Sequence, residues 1–180
     1  MPTTGKKIMS AQDIDRALSR IALQILEHNN GAKDLAIIGI HTGGVYLAER
    51  IKQIVHKREK IDLQSGSLDI TLYRDDWSLA SQNPLVKKTN IAFPVEEKTI
   101  VLVDDVIFTG RTIRAALDAI MDFGRPRSIQ LAVLVDRNGR ELPIQADYVG
   151  ISVTVKPDEL VHVRLKETNG TDEIIRTSSK

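Results

Sequence analysis

The chain has 180 residues, 42% apolar and 27% charged, with 25 Lys and Arg against 24 Asp and Glu, for a formal net charge of +1. That is enough apolar material for one sizeable core and no more, so one domain is expected over residues 1–180. The absence of cysteine excludes disulfides and thiolate metal sites, and no apolar run nears the roughly 20 residues of a membrane span.

The polar start, residues 1–7, has no signal-peptide core, and a cytoplasmic location is expected. A near-neutral charge gives nucleic-acid binding no general support, although a local basic patch is compatible with it.

Ser10-Ala11-Gln12-Asp13 reads as a capping box. Behind it, Ile14, Leu18, Ile21 and Ile25 recur at helical spacing up to about Asn30-Gly31. Residues 35–40 form a short apolar strand, followed by His41-Thr42-Gly43-Gly44 and a helix with Leu47, Ile51 and Ile54 on one face. Strand, glycine turn and helix start present backbone N–H groups to an anion, which makes Thr42, Gly43 and Gly44 candidate ligands. The plain alternative is a tight turn. A third strand is expected over residues 67–73, and the polar stretch 74–98 is too long for an ordinary connection, which marks a functional loop. Asn83-Pro84 and Phe93-Pro94 argue against a helix within it.

The most informative run is Ile100-Val101-Leu102-Val103-Asp104-Asp105-Val106-Ile107-Phe108-Thr109-Gly110-Arg111-Thr112. Four consecutive apolar residues fit a strand buried on both faces, and functional groups of open parallel sheets collect beyond the carboxyl ends of such strands. Asp104 and Asp105 are expected at that end. Adjacent carboxylates repel, so they suit a ligand with hydroxyl donors or an accompanying divalent cation. The following Thr109, Gly110, Arg111 and Thr112 supply hydroxyls, a residue free to take positive φ, and the N–H groups of a helix start. Acid pair and anion loop together imply a phosphorylated sugar; no Walker-type or Gly-x-Gly-x-x-Gly pattern supports a nucleoside triphosphate or dinucleotide.

Ile113, Ala116, Leu117 and Ile120 predict a helix ending near Phe123-Gly124, and residues 129–135 the next buried strand. Val149, Ile151, Val153 and Val155 alternate, as do Val161, Val163 and Leu165. Both runs are expected to fold back beside the main sheet as a small hood, built from parts of the N-terminus and about residues 136–166. The polar tail, about 167–180, is expected to fray, with Ile174-Ile175 as its only docking residues. The whole predicts an α/β fold: a mostly parallel, doubly wound sheet with helices on both faces, right-handed crossovers and a hood. His28, His41, His56 and His162 show no metal-site spacing, and a loop hydrogen bond is expected of His41.

Residues 99–112 resemble the PRPP signature of type I phosphoribosyltransferases. Asp69-Ile70-Thr71-Leu72-Tyr73-Arg74-Asp75-Asp76, Gly124-Arg125-Pro126, residues 128–137 and Arg140-Glu141-Leu142-Pro143-Ile144 narrow the match, as do Ala146-Asp147-Tyr148 and residues 16–22. The chain resembles the PyrR family over nearly its whole length. The resemblance implies uracil phosphoribosyltransferase activity, forming UMP and pyrophosphate from uracil and PRPP. It also implies UMP/UTP-responsive control of pyrimidine genes through leader mRNA. Thr42, Gly43 and Gly44 would then form the pyrophosphate loop and Val106, Ile107, Phe108, Thr109, Gly110, Arg111 and Thr112 the 5′-phosphate loop. Mg²⁺ would be carried by PRPP beside Asp104 and Asp105, with no direct protein site.

Val135, Asp136, Arg137 and Val161 are implied to border the base. At position 43, where members often carry a basic residue, this chain has glycine, and Arg74 is the nearest candidate to neutralise the leaving group, ahead of Lys87 and Lys88. Arg16, Arg20, His28 and Arg140 are the candidate RNA contacts, with Arg125 and Arg127 nearby. Leu23, His28 and Gln145 stand where a stronger RNA surface would carry basic or polar groups. A homodimer or higher assembly is implied as well. The competing readings are a purine phosphoribosyltransferase and a catalytically weak, RNA-binding nucleotide sensor.

Overall fold

The computed structural model describes residues 5–75 and 88–179; the sequence readings at Asp76, Asn83-Pro84 and Lys87 lie outside them. The chain runs β1 (Lys6–Met9), α1 (Ala11–His28), β2 (Leu35–Ile40), α2 (Gly43–Glu59), β3 (Gln64–Leu68), a 3₁₀ turn (Thr71–Tyr73) and β4 (Thr99–Ile107). It continues with α3 (Arg111–Met121), β5 (Ser128–Arg137), β6 (Tyr148–Val153), β7 (Glu159–Arg164), α4 (Lys166–Asn169) and β8 (Glu173–Ser178).

Five strands form one parallel sheet in the order β3-β2-β4-β5-β6. Alternation along β4 shows how it is covered. Val101 and Val103 point into a core shared with Ile14, Leu18 and Ile21 of α1 and Leu47 and Ile51 of α2. Ile100 and Leu102 point to the other face, against Ile113, Ala116 and Ile120 of α3. The α1 start is the expected capping box: Asp13 N donates to Ser10 Oγ at 3.3 Å and Ser10 N to Asp13 Oδ2 at 3.0 Å. Among the described residues no helix is long and apolar enough to cross a membrane.

Three sequence expectations change. The third strand is Gln64–Leu68 rather than 67–73. Asp69 ends it by accepting from Thr71 N at 2.8 Å and from the Thr71 hydroxyl, which winds the next residues into a turn. The run at 149–153 belongs not to the hood but to the main sheet, where β6 pairs in parallel with β5 (Val133↔Val149, Val135↔Ile151). Its alternation reflects an edge strand with one face on α1.

The tail is ordered rather than frayed. Strand β8 is the centre of the antiparallel hood β1-β8-β7, with Ile174 and Ile175 buried. Its polar residues hid it in the sequence because they make ion pairs: Lys7 and Arg164 meet Glu173 at 3.4 and 2.9 Å, and Arg176 meets Glu159 at 3.4 Å.

Candidate active site

Strand β4 does not stop at the acid pair but carries it within its last turn of pleats, pairing with β5 as far as Ile107↔Asp136. Asp104 is only 6% exposed. Its Oδ1 accepts from Asp105 N at 2.9 Å, and Asp105 Oδ1 accepts from Val106 N at 2.7 Å. Burial, reinforced by the neighbouring Asp105 charge, pushes the Asp104 carboxyl well above the usual range. Burial pushes Asp105 up too, opposed in part by the Val106 N–H.

The start of α2 lies directly against this pair. A Cβ on Gly43 would stand 2.6 Å from Asp105 Oδ2, and one on Gly44 2.3 Å from the Val103 carbonyl oxygen. Only glycine lets the helix start approach so closely. Gly43 and Gly44 thus bring the start of α2 beside Asp104 and Asp105. The His41–Thr42 peptide is cis, and His41 Nε2 is buried with no partner among the described residues, so the loop hydrogen bond expected of it is not made through that atom.

Beyond the acids, Gly110 takes φ 93° and delivers the chain into α3. The Thr109 carbonyl accepts from Glu141 N and Leu142 N at 2.9 and 3.1 Å, and Thr109 Oγ1 from Arg111 N at 3.3 Å. Residues 106–113 line a cavity of about 330 Å³ together with Arg74 and Glu141. Arg111 is held by Glu141 at 2.8 Å and by Asp75. Arg74 therefore stands on the side of the 106–112 loop; Thr42, Gly43 and Gly44 are not among the walls of that cavity. The anchoring role of Glu141 and Leu142 was not read from the sequence, where the Arg-Glu-Leu-Pro segment appeared only as part of a resemblance.

At the carboxyl end of β5 the four base-site candidates separate. Val135 is fully buried, so its side chain cannot border a ligand and only its backbone remains available. Asp136 accepts from Arg140 at 2.8 Å. Arg137 is 8% exposed, its guanidinium carbon 3.8 Å from the Phe108 ring centroid, and its Nε has no partner among the described residues. Gly139 permits this stack, since a Cβ there would meet the Phe108 ring at 2.3 Å. Val161, on β7 of the hood, packs on the same core cluster as Val106.

The RNA candidates also divide. Arg16, Arg20 and His28 are exposed on α1. Arg16 faces Asp13 at 3.9 Å, Arg20 donates to the carbonyls of Val149 and Gly150, and His28 meets the Tyr148 ring edge-on at 6.0 Å. Arg140 instead ties the 106–112 loop down, donating to the Phe108 carbonyl at 2.6 Å as well as to Asp136.

Residues 5–167 match the phosphoribosyl transferase domain family. Proteins named Bifunctional protein PyrR are similar throughout. That of Deinococcus radiodurans is 53% identical over 165 residues, 92% of this chain and 90% of that protein. That of Chloroflexus aurantiacus is 55% identical over 170 residues, 94% and 93%. The chain belongs to the PyrR family. Among solved structures, a hypoxanthine-guanine phosphoribosyltransferase from Bacillus anthracis superposes with a TM-score of 0.73 at 18% identity, covering 98% of this chain and 99% of that one. A Trypanosoma cruzi hypoxanthine phosphoribosyl transferase gives 0.75 at 16% identity, covering 97% and 92%. These two share the fold; the PyrR proteins share the sequence.

The raised carboxyls of this PyrR-family site have a thermodynamic consequence. An acid whose pKa is raised by folding contributes stability below the ordinary carboxylate range and loses it as pH rises through the raised value. At neutral pH, then, the ligand-free fold is held back by its own acid pair. Asp104→Asn keeps the acceptor for Asp105 N and is expected to stabilise the ligand-free protein at pH 7 by on the order of 1 kcal/mol, a few degrees in Tm. The gain should shrink on acidification; thermal melts at neutral and acid pH check it.

Proposed function

We propose that the protein transfers the phosphoribosyl group of PRPP to uracil, releasing pyrophosphate and forming UMP. The observation that carries this reading is the buried acid pair Asp104–Asp105, flanked by the α2 start on one side and the loop 106–112 on the other. Two anion-binding helix starts across a hydroxyl-binding carboxylate pair match a ribose with a phosphate at one end and a diphosphate at the other.

Transfer breaks the C1–O bond to pyrophosphate and forms a C1–N bond to the base, with positive charge developing on the ribose ring. Asp104 and Asp105 hold the ribose hydroxyls and oppose that charge from a site where water is scarce. The N–H groups at Thr42, Gly43 and Gly44 receive the departing diphosphate. Residues 106–112, with Arg74 on the wall of the same cavity, hold the 5′-phosphate. This assignment moves Arg74 from the leaving group, its role as read from the sequence, to the other anion.

Among the described residues no group of three or more His, Asp or Glu side chains forms a metal cage. The donors present fit Mg²⁺ arriving with PRPP: burial disfavours the charge on both carboxyls, and two adjacent hard oxygen donors would gain from a divalent cation brought in with the ligand. When bound, Mg²⁺ withdraws charge from the leaving diphosphate.

For the base, Arg137 offers buried donors beside Phe108, and Val161 brings the hood within the same cluster. UMP and UTP are expected to occupy the same cleft. A second activity, binding the leader mRNA of pyrimidine genes under uridine-nucleotide control, is supported by the exposed Arg16, Arg20 and His28 on α1. It is weakened by the intramolecular use of Arg20 and Arg140. Assembly into a homodimer or larger homo-oligomer is supported by exposed Leu72, Met121 and Phe123.

The test is PRPP consumption with uracil, cytosine, hypoxanthine, guanine and orotate in parallel. Uracil-dependent UMP formation is expected. Turnover with a purine instead would favour the purine reading. UMP binding without turnover on any base, together with a salt-dependent gel shift of leader RNA, would make the protein a nucleotide sensor.

A further inference from the structure

The helix that carries the diphosphate-side loop also grips the hood. Arg50, two turns into α2 from Gly43, presents its whole fork to the connection between β7 and β8. Its Nε and Nη2 donate to the two Glu167 oxygens at 3.0 and 2.7 Å, and its Nη1 and Nη2 to the two Asp172 oxygens at 3.1 and 2.8 Å. The three side chains are 13%, 26% and 10% exposed.

Burial alone would lower the Arg50 pKa, but the hydrogen bonds of Glu167 and Asp172 reverse it and raise it further. Glu167 is held below its usual range by the same bonds; in Asp172 they outweigh the opposing effect of burial. Asp172 Oδ1 also accepts from Lys166 N at 2.7 Å, so the clasp fixes the backbone of the connection itself.

Apolar packing already seats the hood: Leu165 and Ile174, both buried, share a cluster with Leu47 and Ile51 of α2. Such packing is non-directional and tolerates sliding. A bidentate fork on two carboxylates does not. The connection it holds leads straight into paired β7 and β8, with Arg164↔Glu173 next to the clasp and Val161↔Arg176 three residues along. That spacing is about 10 Å of strand. At the other end, Leu47, Ile51 and Val55 bury α2 against the main sheet, so the helix is anchored independently of the clasp.

We propose that Arg50 is a positioning residue that sets the height of the hood, and with it Val161, over the base end of the cleft, with α2 as the ruler. This rests on the phosphoribosyl-transfer reading and on the hood as the cover of the base. It separates the two substrates: loss of the clasp should loosen the base site and leave the phosphoribosyl site, built on β4, α2 and α3, in place.

The test is the split of steady-state constants in Arg50→Gln, Arg50→Lys and Glu167→Gln beside the wild type. Arg50→Gln is expected to raise KM for uracil about tenfold with KM for PRPP within about twofold. Arg50→Lys, which keeps the charge and loses the fork, should fall between, and Glu167→Gln, which leaves Asp172 in place, should shift KM for uracil in the same direction by less. A lower Tm with both KM values unchanged, or an equal rise in both, would overturn the proposal. If Arg50→Gln does not fold, Glu167→Gln decides by the same split. Wild-type turnover on another base would refute uracil as substrate, and the split measured with that base would still decide the clasp.

Discussion

Asp105→Asn is expected to lower kcat by about 10²–10³-fold while the protein stays folded, because it removes a negative charge from where positive charge develops on the ribose. The amide keeps an oxygen to accept from Val106 N, now 2.7 Å from Asp105 Oδ1, so the strand end should hold its shape. KM for PRPP should rise less than kcat falls, since the two proposed anion loops keep their contacts. Steady-state rates with saturating uracil, alongside a thermal melt, make the check. Wild-type kcat in a folded Asp105→Asn protein would remove the acid pair from the chemistry.

The second large effect is expected at Gly44→Ala. A Cβ there would be 2.3 Å from the Val103 carbonyl oxygen and 3.1 Å from the Asp104 Cα, both backbone atoms of a central strand that cannot yield. Its own carbonyl is boxed in as well, since a Cβ on Gly39 would meet the Gly44 oxygen at 2.5 Å. The start of α2 must therefore lift off the sheet, at about 3 kcal/mol or more, and carry with it the N–H groups proposed to receive the diphosphate. Turnover and Tm should fall together. Gly43 differs in kind: its neighbour is the Asp105 side chain, at 2.6 Å from the would-be Cβ, so a residue at 43 competes with the proposed ribose-binding carboxylate rather than with the sheet. Glycine at 43 leaves that carboxylate its place.

How legible each part was follows from how local its cause is. Strands β2 and β4 were readable because burial on both faces demands an unbroken apolar run, and α1 because its capping box and apolar face are both local patterns. The acid pair and Gly110 were readable for the same reason: a carboxylate pair and a positive-φ glycine leave marks in adjacent residues.

What failed depended on partners distant in sequence. The alternation at 149–153 cannot say whether a strand joins β5 in parallel or folds into a hood, because an edge strand and a hood strand both have one wet face. Strand β8 looked like a polar tail because Glu173 and Arg176 find their countercharges on β1 and β7. The side chain of Val135 turns out to lie in the core, and Arg140 reaches back to the Phe108 carbonyl, neither of which spacing in the sequence reveals. A side chain's direction is set by the fold, and sequence spacing alone does not reveal it.

The most direct measurement is a calorimetric titration of the wild-type protein with PRPP, with and without Mg²⁺, repeated on Asp104→Asn/Asp105→Asn. One PRPP per chain, bound at least about tenfold more weakly without Mg²⁺ and losing most of that Mg²⁺ dependence in the double variant, is the predicted result. PRPP affinity that is absent from the wild type, or that ignores both Mg²⁺ and the two aspartates, would contradict a ribose-diphosphate site at the end of β4.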